Sequence, residues 1–213
     1  MIKSFKLAIF DLDGVIVDTA KYHYLAWREL ANKLGFEFTH AHNERLKGVS
    51  RWRSLEILLE IGGLEGKFSE SERNAMATEK NVKYVEFISK LEKDEILSGA
   101  KELLLAMREK GIKTAIGSAS KNAPLILERL ELTELFDVII DGNKTAAAKP
   151  DPEVFVLAAV HLGISPEDCI VFEDAQAGIE AAVAAKMTAI GVGEEGNLSG
   201  AEMYIKDLSE FKM

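Results

Sequence analysis

The sequence predicts an α/β fold, a doubly wound parallel sheet core with an inserted α-helical cap domain. Three observations predict it. Short apolar runs of strand length recur along the chain. From Leu97 onward they alternate with helix-period segments, the mark of βαβ units whose sheet is covered on both faces. Between the first run and Leu97 the apolar residues recur only at helical spacing, so helices interrupt the sheet after its first strand.

Each element has its own warrant. Residues 6–10 read as a buried strand. After Asp18 and Thr19, which suit a helix N-cap, Trp27, Leu30, Ala31 and Leu34 fall on one helical stripe. Leu55, Leu58 and Leu59 continue the helical pattern, and Val82, Val85, Ile88 and Leu91 follow. The remaining strands are expected at 112–117, 137–140, 169–172 and 188–192. Helices between and around them are expected at 101–110, 122–130, 152–162 and 176–185. The α/β core is then discontinuous, residues 1–17 and 97–213, with the cap at 18–96.

Composition narrows the function. Of the 213 residues 47% are hydrophobic and 29% charged, enough apolar content to fold and too much for a disordered chain. Lys and Arg number 26 against 35 Asp and Glu, a net charge of −9, which argues against nucleic acid as a partner. The single cysteine, Cys169, cannot close a disulfide within the chain and opens an apolar strand, so a buried, inert thiol in a reducing compartment is expected. The run Leu7-Ala8-Ile9-Phe10 is too short for a signal-peptide core, and no apolar run reaches membrane-span length. These features predict a cytoplasmic protein with no membrane partner.

Ligands of open parallel sheets bind at the carboxyl ends of the strands. There the sequence places Asp11 and Asp13, then Ser118 to Asn122, then Asp141 and Lys149, then Glu173 and Asp174. Crowded carboxylates repel one another and call for a cation. Oxygen ligands without His or Cys favour Mg²⁺ over zinc. Lys149 and Ser118 offer a charge and a donor to phosphoryl oxygens. An aspartate can act as nucleophile, and one two residues further along can exchange a proton with the substrate. Each residue alone also has a structural reading: loop acids for Asp11 and Asp13, a helix cap for Glu173 and Asp174, a satisfied core histidine for His23. Two glycine-rich stretches are decoys. Gly191 to Gly196 fits a dinucleotide pattern, but it carries two glutamates and too little chain follows it. Gly62 to Lys67 has neither the spacing nor the preceding strand of a phosphate loop.

The stretch Phe10-Asp11-Leu12-Asp13-Gly14-Val15-Ile16-Val17-Asp18 resembles the first signature of the haloacid dehalogenase superfamily. Ser118, Lys149 before Pro150, and Phe172-Glu173-Asp174-Ala175-Gln176-Ala177-Gly178 resemble its other three, in order. Finer features are similar to the sugar-phosphate mutases of that superfamily: Asp18-Thr19-Ala20 with His23 and Trp27, Leu46-Lys47-Gly48-Val49-Ser50-Arg51, and Ser118-Ala119-Ser120-Lys121-Asn122. The resemblance implies Asp11 as the phosphorylated nucleophile and Asp13 as general acid/base. It implies a Mg²⁺ held by Asp11, the Asp13 carbonyl, Glu173 and Asp174. Ser118 and Lys149 would hold the transferring phosphate, and Arg51, Ser120 and Asn122 a distal one. His23, Trp27, Leu46, Lys47, Gly48, Val49, Ser50, Ser54, Lys80, Ala119 and Lys121 would meet the substrate, with His23, Lys47 and residues 48–50 meeting the sugar or ordering Asp13. The chain departs from the pattern at Trp52-Arg53, where a more acidic pair is expected.

The implied activity is interconversion of β-D-glucose 1-phosphate and glucose 6-phosphate through a bisphosphate, by a monomer. A Mg²⁺-dependent hydrolase of small sugar phosphates on the same core is the alternative. A phosphoacceptor switch without turnover is a third reading, and the complete set of four motifs counts against it.

Overall fold

The computed structural model describes residues 4–46, 49–193, 196 and 198–213. Its centre is a six-stranded, all-parallel sheet in the order β3-β2-β1-β4-β5-β6. The strands are β1 (Leu7–Phe10), β2 (Lys113–Gly117), β3 (Val138–Ile140), β4 (Cys169–Glu173), β5 (Thr188–Val192) and β6 (Met203–Ile205). The doubly wound α/β class expected from the sequence is the one observed. Leu7 stands between Lys113 and Cys169, so β1 lies at the middle, flanked by β2 and β4. The chain runs outward from β1 in one direction through β2 and β3, and in the other through β4 to β6. Strand order therefore reverses beside β1, where such sheets bind ligands.

Alternation along each strand sends side chains to two apolar layers. Ala8, Phe10, Ile116 and Phe172 meet α5 (Ala100–Glu109) and α6 (Ala123–Arg129) through Leu104, Met107, Ile126 and Leu127. Leu7, Ile9, Ala115 and Val171 meet α7 (Glu153–Leu162) and α8 (Gln176–Ala184) through Phe155, Ala158, Ile179 and Ala182. Burial on both faces explains why these strands read as unbroken apolar runs.

Four helices follow β1: α1 (Ala20–Leu34), α2 (His40–Glu44), α3 (Arg51–Ile61) and α4 (Glu70–Ile88). Tyr24, Trp27, Leu30, Phe38, Leu55 and Leu58 form an apolar cluster separate from the two layers of the sheet. Capping boxes start α2 at Thr39 and α4 at Ser69. Among the described residues no helix is long and apolar enough to cross a membrane.

Three sequence expectations need correction. The sheet has a sixth strand, β6, not five in all. It is three residues long, and Met203 and Tyr204 are each 37% exposed, which left no apolar run to find. Val82 is 53% exposed, and α4 buries Ala77, Lys80, Tyr84 and Ile88 instead. Thr19 precedes α1 but makes no side-chain cap; its hydroxyl is committed to Asp13. The decoy at Gly191 connects β5 to β6 with no helix among the described residues, which rules out a dinucleotide βαβ unit there.

Candidate active site

At the end of β1 the Asp11 N–H donates to the Phe172 carbonyl at 2.9 Å, extending the β1–β4 pairing by one step. The next turn needs Gly14, which has φ of 87°, and a Cβ there would overlap the Asp174 carboxylate. Asp13 therefore turns back toward the sheet edge, where Thr19 Oγ1 donates to its Oδ1.

At the end of β2 two hydrogen bonds within the loop order its side chains. Ser118 Oγ accepts from the Ser120 N–H at 3.0 Å, and Ser120 Oγ from the Asn122 N–H at 3.3 Å. Beyond β3, Asp141 accepts from the Asn143 N–H at 2.9 Å and shapes that loop; it does not line the cavity. Lys149 sits deeper. Its Nζ donates to Asp11 Oδ1 at 2.6 Å and to Glu173 Oε2 at 2.7 Å, with 1% of its side chain exposed. Burial works against the Lys149 ammonium, but the Asp11 and Glu173 carboxylates outweigh it and raise its pKa above that of a free lysine. Lys149 is thus a fixed positive charge touching Asp11.

Glu173 is fully buried, and its Oε1 accepts from the Ala175 N–H at 3.2 Å at the start of α8. Gly178, one turn on, makes the room: a Cβ there would lie inside the Glu173 carboxyl group. Replacing Gly178 by Ala is expected to displace Glu173 from Lys149, costing about 1–3 kcal/mol of stability as overpacking does. A thermal melt reads the stability loss, and an activity loss larger than the unfolded fraction accounts for reads the displaced carboxylate.

The carboxylates of Asp11, Glu173 and Asp174 offer oxygens within 4.8 Å of one another. Such a set of hard donors fits a divalent cation bound by oxygen. Burial, reinforced by the charges of Asp11 and Asp174, pushes the Asp13 carboxyl up to about 8. A carboxyl whose pKa lies near neutrality can take a proton in one step and return it in another, as a group that alternates between base and acid requires.

Facing these strand ends, the four helices close a cavity of about 290 Å³. His23 and Trp27 reach it from α1, Leu46 from the segment after α2, Val49, Ser50, Arg51 and Ser54 from the start of α3, and Lys80 from α4. Asp11, Asp13, Ser118, Ala119, Ser120, Lys121, Asn122, Lys149 and Asp174 line the opposite wall. Lys47 and Gly48 lie outside the described residues. Of the other site residues expected from the sequence, all but Asp141 and Glu173 line this cavity, and Glu173 supports it from behind through Lys149. Ser50 caps α3 by accepting from the Arg53 N–H at 3.3 Å, which sets Arg51 at the first helical position. Trp52 lies under the Arg73 guanidinium, 4.9 Å from its ring centre, while Arg53 pairs with Glu56 and Glu60. The departure from the acidic pattern is thereby absorbed within the helical layer.

Lys80 is 3% exposed and lies over the faces of Trp27 and Tyr84 at 4.6 and 4.7 Å. Its Nζ is 2.9 Å from His23 Nδ1. Burial first, then the Arg51 charge, lower its pKa to about 7, with Asp13 opposing. Burial, Lys80 and Arg51 together hold His23 well below its usual range, so it is neutral near pH 7 and accepts from Lys80. The sign of the stability effect follows. Between about 7 and the ordinary 10.5 the unfolded chain holds the Lys80 proton and the folded one does not, so the cost of this lysine shrinks as pH rises through that window. Lys80→Met is expected to raise the melting temperature, most at pH 7 and below and progressively less toward pH 10. Paired melts of the two proteins across pH test it; an equal difference at all pH values would contradict the assignment.

Sequence reasoning missed Asn43 and Asn81, which also line the cavity. Asn43 is buried, with no hydrogen-bond partner on Oδ1 among the described residues, and Asn81 accepts from Asn122 at 3.0 Å. No motif spacing marks either one, since what distinguishes them is a neighbour distant in the sequence.

Residues 5–186 match the family model of haloacid dehalogenase-like hydrolases. The chain belongs to that family.

Within the family, this haloacid dehalogenase-like enzyme is 43% identical over 208 residues to the β-phosphoglucomutase of Bacillus subtilis, covering 98% of this chain and 92% of that one. Its structure superposes on the crystal structure of a β-phosphoglucomutase from Clostridium difficile with a TM-score of 0.94 and 44% identity, covering 98% and 93% of the two chains. It is also 32% identical over 184 residues to a fructose-1-phosphate phosphatase of Escherichia coli, covering 86% and 94%. The family and the mutase resemblance read from the sequence are those found.

Proposed function

We propose that the enzyme is a phosphomutase interconverting β-D-glucose 1-phosphate and glucose 6-phosphate. The observation that carries this reading is the shared cavity. Asp11, Ser118 and Lys149 stand in its wall together with Ser120 and Asn122, while Arg51 enters from the helical layer. One phosphate can react at Asp11 while the other is held by Arg51, Ser120 and Asn122. Similarity to the two β-phosphoglucomutases supports the same choice.

In the first half-reaction the phosphoryl group leaves the Asp11 carboxylate for the 6-hydroxyl of β-glucose 1-phosphate. Asp13 takes the hydroxyl proton, and glucose 1,6-bisphosphate forms. The bisphosphate turns around. The Asp11 carboxylate then attacks the phosphorus on O1, the O1–P bond breaks, and Asp13 returns its proton to O1. Glucose 6-phosphate leaves with Asp11 phosphorylated again. Thr19 holds Asp13 in place for both proton transfers. Lys149 neutralises Asp11 and the group it carries. A Mg²⁺ held by Asp11, Glu173, Asp174 and the Asp13 carbonyl would neutralise charge on the phosphoryl oxygens. Residues 18–96 act as the cap that excludes water during transfer, and residues 1–17 and 97–213 as the catalytic core. The enzyme works as a monomer in the cytoplasm.

The E. coli phosphatase relative favours a second reading, hydrolysis of sugar phosphates on the same core. A coupled assay that follows glucose 6-phosphate formation and free phosphate release together decides between them. Glucose 6-phosphate formed well in excess of released phosphate supports the mutase. Stoichiometric phosphate release with no isomer formed overturns it.

A further inference from the structure

Asn122 stands at the N-cap of α6, where an asparagine ordinarily accepts a backbone N–H from the first turn. Here its side chain makes no such cap. Its Nδ2 reaches across to the helical layer and donates to Asn81 Oδ1 on α4 at 3.0 Å. Asn81 is half-buried in the middle of a helix, where asparagine is a poorer helix former than alanine. Neither residue is placed to favour its own helix, and the two meet across the cavity they line. From Asn122 the connection continues within the core, through its backbone N–H to Ser120 Oγ and from the Ser120 N–H to Ser118 Oγ. A line of hydrogen bonds therefore runs from the helical layer to the end of β2.

We propose that Asn81 is a positioning residue, a latch by which the helical layer sets the Asn122 amide for the distal phosphate. With one N–H of Asn122 engaged by Asn81, the second is directed to a phosphoryl oxygen, and the loop at 118–122 is held in its binding shape. Moving the helical layer away releases the amide, so phosphate grip and closure are coupled. The inference rests on the mutase reading for the ligand that Asn122 meets, but not for the latch itself.

The test uses the full-length enzyme with Asn81→Leu, which keeps the side-chain shape and removes the acceptor, and Asn81→Ala, which removes both. Loss of one neutral hydrogen bond predicts a drop in kcat/KM for β-D-glucose 1-phosphate of about three- to tenfold in either variant. The drop is carried by KM, because the distal phosphate is held alike in the bound substrate and the transition state. In an Asn122→Ala background the same Asn81 changes are expected to matter by less than about twofold. A loss of equal size in both backgrounds, or full activity in Asn81→Leu, overturns the proposal. A second readout needs no substrate: amide hydrogen exchange over residues 118–122 is expected to be faster in Asn81→Leu than in the native enzyme. Unchanged exchange overturns the latch. Failure of the native enzyme to convert β-D-glucose 1-phosphate overturns the mutase reading instead, and the exchange comparison still decides the latch.

Discussion

Asp11→Asn is expected to lower turnover by more than about a hundredfold while leaving the fold intact. A neutral amide is a poor nucleophile toward phosphorus, and it surrenders a charge that a cation at this cluster would need. The fold should tolerate it for a geometric reason. The amide oxygen can still accept from Lys149, and Lys149 retains Glu173. Removing one negative charge also relieves crowding with Asp13, whose pKa is raised first by burial and then by the Asp11 charge. A melt unchanged within a few degrees together with the activity loss identifies the nucleophile. Activity above about a hundredth of the native level removes Asp11 from that role. The native enzyme is expected to fail likewise in excess chelator and to recover with Mg²⁺ but poorly with Ca²⁺, whose looser coordination suits the site less well. Full turnover in chelator would sink the metal assignment of Asp11, Glu173 and Asp174.

The second large effect is expected at Arg51. It opens α3, faces the cavity and forms no ion pair with a carboxylate among the described residues, so its guanidinium is available to an anion. Partial burial lowers its pKa from the ordinary arginine value, and a guanidinium stays charged at working pH. A desolvated, charge-assisted contact to phosphate contributes about 1.5–3 kcal/mol, roughly ten- to a hundredfold. Arg51→Ala should therefore cut the mutase kcat/KM by about that factor more than it cuts kcat/KM for hydrolysis of a small phosphate monoester, which has no distal phosphate to hold. Arg51→Lys should recover only part, because an ammonium cannot form the planar fork. Both activities falling equally would assign Arg51 to the transferring phosphate or to the fold. A mutase rate that does not fall would place the distal grip elsewhere.

Much of this was legible in the chain because the physics is local. Strands buried on both faces must be apolar throughout, so β1, β2, β4 and β5 stand out as runs such as Leu7-Ala8-Ile9-Phe10. The proposed catalytic set was legible because strand ends in a parallel sheet converge by topology. Once the strands are placed, Asp11, Ser118, Lys149 and Glu173 are brought together by chain order alone. The edge strand β6 escaped notice because half-exposed residues such as Met203 and Tyr204 carry no apolar signature. On α4 helical spacing pointed to Val82, yet the buried face is shared by Tyr84 and a lysine. Burying that lysine is possible only because Trp27, Tyr84 and His23, from two helices, surround its ammonium.

The sequence by itself determined the fold class, the interruption of the sheet after β1, the family, and the residues at the strand ends. These follow from apolar periodicity and from short motifs whose parts are neighbours in the chain. Tertiary structure alone decided the commitments between distant residues. Thr19 serves Asp13 rather than its own helix, Lys149 is shared between Asp11 and Glu173, and Asn122 gives up its local cap for Asn81. The reason is that a polar side chain has several possible partners within its own turn and in space. Which one it takes depends on what the packing of the whole chain places within hydrogen-bond distance and shields from water.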